Sequence, residues 1–135
     1  MAFTGNFTAD SFKTALLNGD VDFSTDIFKI ALYTNSASLN ETTSIYTTDG
    51  EVVAAGYAAG GETLSATVSA LDGVSFVSFA NVSWTSALTA RGALIYKEGG
   101  TAVCVLDFGS DKTSTTTFTV EFPPATNTTA ILRLN

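Results

Sequence analysis

Apolar and polar residues alternate along several short stretches of the chain, the pattern of strands with one buried and one solvated face. Stretch 63–71 shows it most clearly, because every second side chain is apolar: Leu64, Ala66, Val68 and Ala70. The final stretch repeats the pattern and predicts that Leu132 and Leu134 face inward. Strands are predicted over residues 27–34, 63–71, 74–84, 93–98, 101–108, 117–122 and 130–134.

Two dipeptides favour tight hairpin turns between neighbouring strands. Asp72–Gly73 and Gly99–Gly100 each separate two alternating stretches, and both suit two-residue hairpin loops. Turns at this spacing, with one buried face per strand, are typical of antiparallel architecture. We therefore expect an all-β fold, an antiparallel β-sandwich of about 7–8 strands that is jelly-roll-like or immunoglobulin-like.

One short helix is predicted near the start of the chain, over residues 8–17. Thr8 is the expected N-cap, and Asn18–Gly19 is a suitable stop. One face of this helix would carry three apolar residues, Phe12, Ala15 and Leu16.

The 135 residues are expected to form a single domain with two unusual segments. Residues 1–7 are a candidate N-terminal arm, which would either fold onto its own sandwich or reach a neighbouring chain. Residues 36–61 are a long excursion from the sandwich, and such excursions are often binding elements. The aromatic residues of these two segments are the candidate partner contacts: Phe3, Phe7, Tyr46 and Tyr57.

The charge balance argues against two classes of partner. The formal net charge is -7, and only six residues are basic, with no basic stripe among them. Binding to nucleic acid depends largely on phosphate neutralisation, so we expect neither nucleic acid nor an anionic membrane as a partner. Residues 1–7 contain no basic region and no apolar run, so no secretory signal is expected.

The inventory of reactive side chains predicts a protein that is not an enzyme and needs no cofactor. The chain has no histidine, which is the usual base for a serine or cysteine nucleophile, and no Ser-x-x-Lys spacing. Cys104 lies in an apolar run and is expected to be buried. The carboxylates Asp107, Asp111 and Glu121 could in principle act in pairs, but loop and surface roles fit them better.

A short acidic loop is the strongest metal candidate, although we expect no metal site. Asp20, Asp22, Ser24 and Asp26 offer hard oxygen ligands at alternating positions. The calcium-loop template then fails, because Thr25 stands where glycine is needed and Ala31 where glutamate is needed. These aspartates are expected to act in turns and caps instead.

Four stretches resemble a group of small virion proteins of tailed bacteriophages. They are Gly19–Phe23 continuing through Phe28–Asn35, then Ala90–Tyr96, Val105–Thr113 and Ile131–Leu134. The resemblance implies a protein present in many copies on the virion and assembled in the host cytoplasm. It implies no catalytic residue.

Small all-β proteins of phage heads are often decoration, or cement, proteins. The resemblance therefore favours a capsid decoration protein that binds the major capsid protein and copies of itself and stabilises the head. A tail, neck or tail-fibre adaptor subunit is an alternative. A further alternative is a carbohydrate or host-surface binding module, with its sugar site around Trp84, Tyr46 or Tyr57.

Overall fold

The computed structural model describes residues 3–134 and confirms an all-β, sandwich-like fold with one short N-terminal helix. In chain order the elements are β1 Phe7–Thr8, α1 Asp10–Leu17, β2 Phe28–Tyr33, β3 Glu62–Leu64, β4 Ala66–Leu71, β5 Val74–Phe79, β6 Val82–Trp84, β7 Thr89–Lys97, β8 Ala102–Thr113, β9 Phe118–Val120 and β10 Leu132–Leu134.

The strands form three antiparallel sheets. The largest has five strands in the order β1-β8-β7-β2-β3, and the others are β10-β5-β4 and β6-β9. The β7–β8 hairpin is the longest, and its register shifts twice, between Ala90 and Gly92 and again between Ile95 and Tyr96. Such an irregularity bends the pair and lets it curve around the core.

The structure has ten described strands, more than the sequence predicts, because two long stretches are each divided. The stretch 63–71 is interrupted at Ser65, so β3 joins the large sheet and β4 joins the three-stranded one. Stretch 74–84 is interrupted at residues 80–81 in the same way. The backbone N–H of Ala80 donates to the carbonyl of Ser65 at 3.1 Å, so the two breaks lie side by side. The remaining additional strand is β1.

The helix begins later than predicted. Thr8 lies in β1, where it pairs with Cys104 of β8 and does not cap α1. The N-cap is Ala9, whose side chain has no oxygen to accept a hydrogen bond. The predicted end is confirmed, with Asn18 as the C-cap and Gly19 at φ +78°. Phe12 is buried. Among residues 3–134 no helix is long and apolar enough to cross a membrane.

Strand β2 lies between β7 and β3 in the large sheet and is buried on both faces. A strand with one solvated face would leave Ala31 and Tyr33 accessible, but both are as inaccessible as Ile30. The reason is that segment 36–61 folds back over this strand. The Tyr33 side chain reaches this segment, where its hydroxyl donates to the carbonyl of Thr47 at 2.6 Å, and the backbone N–H of Val52 donates to the carbonyl of Leu32 at 3.0 Å. The long excursion therefore completes the core and does not project from it.

Candidate functional site

The predicted N-terminal arm folds onto its own sheet. Phe3 is only 4% exposed, and its ring fills the space beside Gly92, where a Cβ would meet it at 2.5 Å. The Arg91 guanidinium lies 5.9 Å from the centre of the same ring, a cation–π contact. Of the two arrangements expected for the arm, the structure shows the one in which Phe3 folds onto its own sandwich. Residues 1 and 2 of the arm lie outside the described residues.

Phe7, the second aromatic residue of the arm, is half-buried. It pairs with Val105 in β1 and packs against the hydrophobic core. The side chain of Asn6 accepts a hydrogen bond from the backbone N–H of Asp107 at 2.6 Å, which extends this attachment by one residue. The arm is thus an edge of the large sheet.

The two tyrosines of segment 36–61 converge on a buried carboxylate. Glu51 accepts hydrogen bonds from the Tyr46 hydroxyl at 2.5 Å, the Tyr57 hydroxyl at 2.6 Å and the backbone N–H of Gly60 at 2.8 Å. Tyr57 is buried, and the half-buried Tyr46 ring stacks on Tyr96 with centroids 4.9 Å apart. These tyrosines stabilise the segment from inside, so the structure gives Tyr57 no surface for a partner.

This tyrosine cluster is not set up for proton transfer. Desolvation, strengthened by the Glu51 carboxylate, raises the pKa of Tyr46 and of Tyr57 well above its usual range. The same two causes raise the pKa of Tyr96 to about 12. All of these hydroxyls stay neutral near pH 7, where they donate to fixed acceptors.

The acidic loop makes turns, as predicted for its aspartates. The Asp22 carboxylate accepts hydrogen bonds from the hydroxyl and the backbone N–H of Ser24, and these lower its pKa. Asp26 accepts from the backbone N–H of Asp22 and pairs with Lys97 at 3.1 Å, which together lower the pKa of Asp26. Within residues 3–134 no group of three or more acidic, cysteine or histidine side chains is arranged to hold a metal ion.

The carboxylates considered for catalysis each have a structural contact. Asp107 forms an ion pair with Arg91 and accepts the backbone N–H of Gly109 at 2.8 Å. Asp111 accepts a hydrogen bond from the Asn35 side chain at 3.2 Å, and Glu121 is exposed. Asp107 and Glu121 both line a cleft of about 340 Å³, but the Asp107 carboxylate is already paired with Arg91.

Two further predictions concern Cys104 and Trp84. Cys104 is buried as expected, and desolvation raises the pKa of its thiol to about 12, which leaves it unreactive. Trp84 is only 2% exposed, packed near Tyr57 and Phe118. A sugar needs an exposed ring face to stack on, so the predicted carbohydrate site at Trp84 or Tyr57 is not supported.

An apolar groove of about 800 Å³ lies between α1 and the three-stranded sheet. We call it the apolar groove, and its apolar lining includes Phe12, Leu16, Leu17, Val68, Leu132 and Leu134. Leu17 is 88% exposed, Leu134 61% and Val68 56%. Large apolar side chains gathered on one surface are typical of an interaction site.

Sequence reasoning missed this groove, because it assigned Val68 and Leu134 to the interior. Both side chains lie on the predicted face of their strands, but that face is only partly covered in this sheet. One signal was present in the helix, where Leu16 and Leu17 are adjacent. Phe12, Ala15 and Leu16 have the spacing of one buried helix face, and Leu17 lies outside that spacing, so burial of the face leaves Leu17 exposed.

No protein-family model matches the chain, and neither a curated protein nor a solved structure matches it. The function must therefore be inferred from the surface and chemistry of this chain itself.

Proposed function

We propose that the protein is a non-enzymatic structural subunit of a tailed-phage virion, a decoration protein that binds major capsid subunits on the head and stabilises the shell. The observation that carries this proposal is the apolar groove. Its exposed residues Leu17, Leu134 and Val68 leave more than half of their surface in solvent, so burying them against another protein is favourable.

The ionisable groups support a binding role over chemistry. Arg91 and Asp107 pair with each other, Asp26 pairs with Lys97, and Glu51 is enclosed by tyrosine hydroxyls. None of these groups is aimed into the apolar groove. A surface of this kind acts by adding buried area, and it stabilises a shell because it binds the assembled state.

The test is to separate purified virions into heads and tails and to quantify this chain in each fraction by mass spectrometry. A decoration protein is expected in the head fraction at a stoichiometry comparable to that of the major capsid protein. A few copies confined to the tail would overturn the head assignment and favour an adaptor or fibre subunit. Absence from both fractions would overturn the virion assignment altogether.

A binding assay tests the mechanism directly. Purified protein is added to expanded heads that lack it, and the melting temperature of the shell is measured. We expect saturable binding and a higher melting temperature, because the ligand binds the folded shell only. Binding without any gain in shell stability would contradict the cement role.

A further inference from the structure

Strand β4 is an unprotected sheet edge. In the order β10-β5-β4 it has β5 on one side and no other strand on the other among the described residues. It is six residues long, from Ala66 to Leu71, and pairs with β5 without any register shift. Long, regular and uncovered edges are templates for pairing with another chain.

The other edges of the fold are short or charged. The edge strands β1, β3, β6, β9 and β10 have two or three residues each. The outer part of β8, which extends beyond its pairing with β1, carries Asp107, Asp111 and Lys112. Short length and charge are the devices by which proteins prevent edge pairing. β4 has neither, since its residues Ala-Thr-Val-Ser-Ala-Leu include no charge and no proline.

The hairpin turn determines which backbone groups of β4 are free. Leu71 and Val74 are the last pair before the two-residue turn 72–73, so the backbone groups of odd-numbered β4 residues face β5. Ser65, the odd-numbered residue just before β4, follows the same rule, because its carbonyl accepts the backbone N–H of Ala80 at 3.1 Å. The N–H and C=O groups of Ala66, Val68 and Ala70 therefore point towards the open edge.

We propose that this edge is occupied by β4 of a second copy of the same chain, paired antiparallel across a two-fold axis that passes beside Val68. Each Val68 then lies directly opposite its counterpart, and Ala66 lies opposite Ala70. The pairing joins two three-stranded sheets into one of six strands. It satisfies the free backbone groups of both copies with a single set of hydrogen bonds.

A second copy fits this edge better than a foreign strand for two reasons. The chain carries a net charge of -7, yet β4 itself has no charged residue. Two copies can therefore approach at this edge without bringing like charges together. A two-fold contact also closes on itself and leaves neither β4 edge open. The groove-lining face of Val68 stays on the same side of the joined sheet in both copies. This inference does not depend on the proposed function.

The first experiment is sedimentation equilibrium of the full chain, with matched lysine substitutions on two neighbouring β4 positions. The wild-type protein is expected to be a dimer with twice the mass of 14.0 kDa. Val68→Lys places two like charges directly opposite each other and is expected to raise the dissociation constant by about tenfold or more. Thr67→Lys, equally on the edge strand, lies opposite Ser69 in this register and should leave the dimer intact.

Disulfide trapping tests the register itself. Directly opposed, hydrogen-bonded strand positions have Cα atoms about 5.5 Å apart, which a disulfide can span. Val68→Cys is expected to form covalent dimers on mild oxidation, whereas Thr67→Cys should not. Cys104 does not interfere, because its thiol is buried.

Three results would overturn the inference. A wild-type monomer at every concentration tested would show that no second copy binds. A dimer that withstands Val68→Lys, in a variant with wild-type circular dichroism, would place the contact elsewhere. Trapping at Thr67→Cys in preference to Val68→Cys would contradict the two-fold register.

Discussion

Tyr57 and Glu51 form the central link between segment 36–61 and the large sheet. The Tyr57 hydroxyl donates to the Glu51 carboxylate at 2.6 Å and accepts the backbone N–H of Leu32 at 2.9 Å. One hydroxyl thus joins a buried carboxylate to strand β2. Because a buried carboxylate is tolerated only when its lone pairs are satisfied, this geometry ties the segment to a single arrangement.

Removing the carboxylate should therefore be costly. Glu51→Ala leaves the Tyr46 and Tyr57 hydroxyls and the Gly60 N–H without their acceptor, and is expected to lower the free energy of unfolding by about 3 kcal/mol or more. Urea denaturation monitored by tryptophan fluorescence measures this. The matched control is Glu41→Ala at an exposed glutamate, where a change within about 0.5 kcal/mol is expected. Equal effects at the two sites would contradict the role given to Glu51.

High pH should unfold the protein by ionising tyrosines. Burial raises the pKa of all four tyrosines, Tyr33, Tyr46, Tyr57 and Tyr96, above the ordinary value of 10.0. Because the folded-state values are raised, the stabilisation is complete below about pH 10 and is lost as the pH rises through the folded-state values.

An alkaline titration followed by tyrosinate absorbance and circular dichroism tests this. We expect little tyrosinate near pH 10, and then ionisation that coincides with loss of the fold. A tyrosine that ionises near pH 10 while the circular dichroism stays native would contradict the burial of that hydroxyl.

Substitutions at Gly19 and Gly61 allow the energetic cost of a left-handed backbone conformation to be measured separately from the cost of a steric clash. Gly61 and Gly19 have nearly the same dihedral, φ +79° and φ +78°. A Cβ on Gly61 would overlap the carbonyl oxygen of Ile30, whereas a Cβ on Gly19 meets nothing within 4 Å.

Gly19→Ala is expected to cost about 1–2 kcal/mol for the left-handed conformation alone. Gly61→Ala should cost at least about 4 kcal/mol, because β2 cannot move away from the returning segment without breaking its ladder. Thermal unfolding of both variants measures the difference. Similar melting temperatures would mean that segment 36–61 does not press against β2.

The sequence pattern predicted the fold class well where strands have one covered face. The turn at Asp72–Gly73 is correct, with both residues at positive φ, and so is the buried position of Cys104. The division at Ser65 could not be predicted, because the alternation continues in phase across it. Periodicity records which side chains share a face, and it does not record which sheet a strand joins.

The site was harder to predict than the fold for a related reason. Phe3 and Tyr57 were predicted as partner contacts because the local sequence pattern does not show which residues of the chain pack against them. In the structure Phe3 packs beside Gly92, and Tyr57 meets Glu51 and Leu32, contacts that depend on tertiary arrangement. Conversely, the leucines of the apolar groove resemble core residues in the sequence.

If the apolar groove binds the virion shell, a groove residue should matter for binding and an equally exposed residue elsewhere should not. Leu17 and Val53 are a matched pair that tests this. Both side chains are almost fully exposed, Leu17 at 88% and Val53 at 97%, but only Leu17 lines the groove. Replacing either with glutamine should change the free energy of unfolding by less than about 0.5 kcal/mol.

Leu17→Gln should nevertheless weaken binding to expanded heads by about tenfold or more, since a leucine side chain that becomes buried contributes about 1.5–3 kcal/mol. Val53→Gln should bind as the wild type does. The measurement is a titration of each variant onto heads, with bound protein quantified after sedimentation. If both variants bind equally well, the shell contacts a surface other than the groove. If Val53→Gln alone loses affinity, the contact lies on segment 36–61, as its length first suggested.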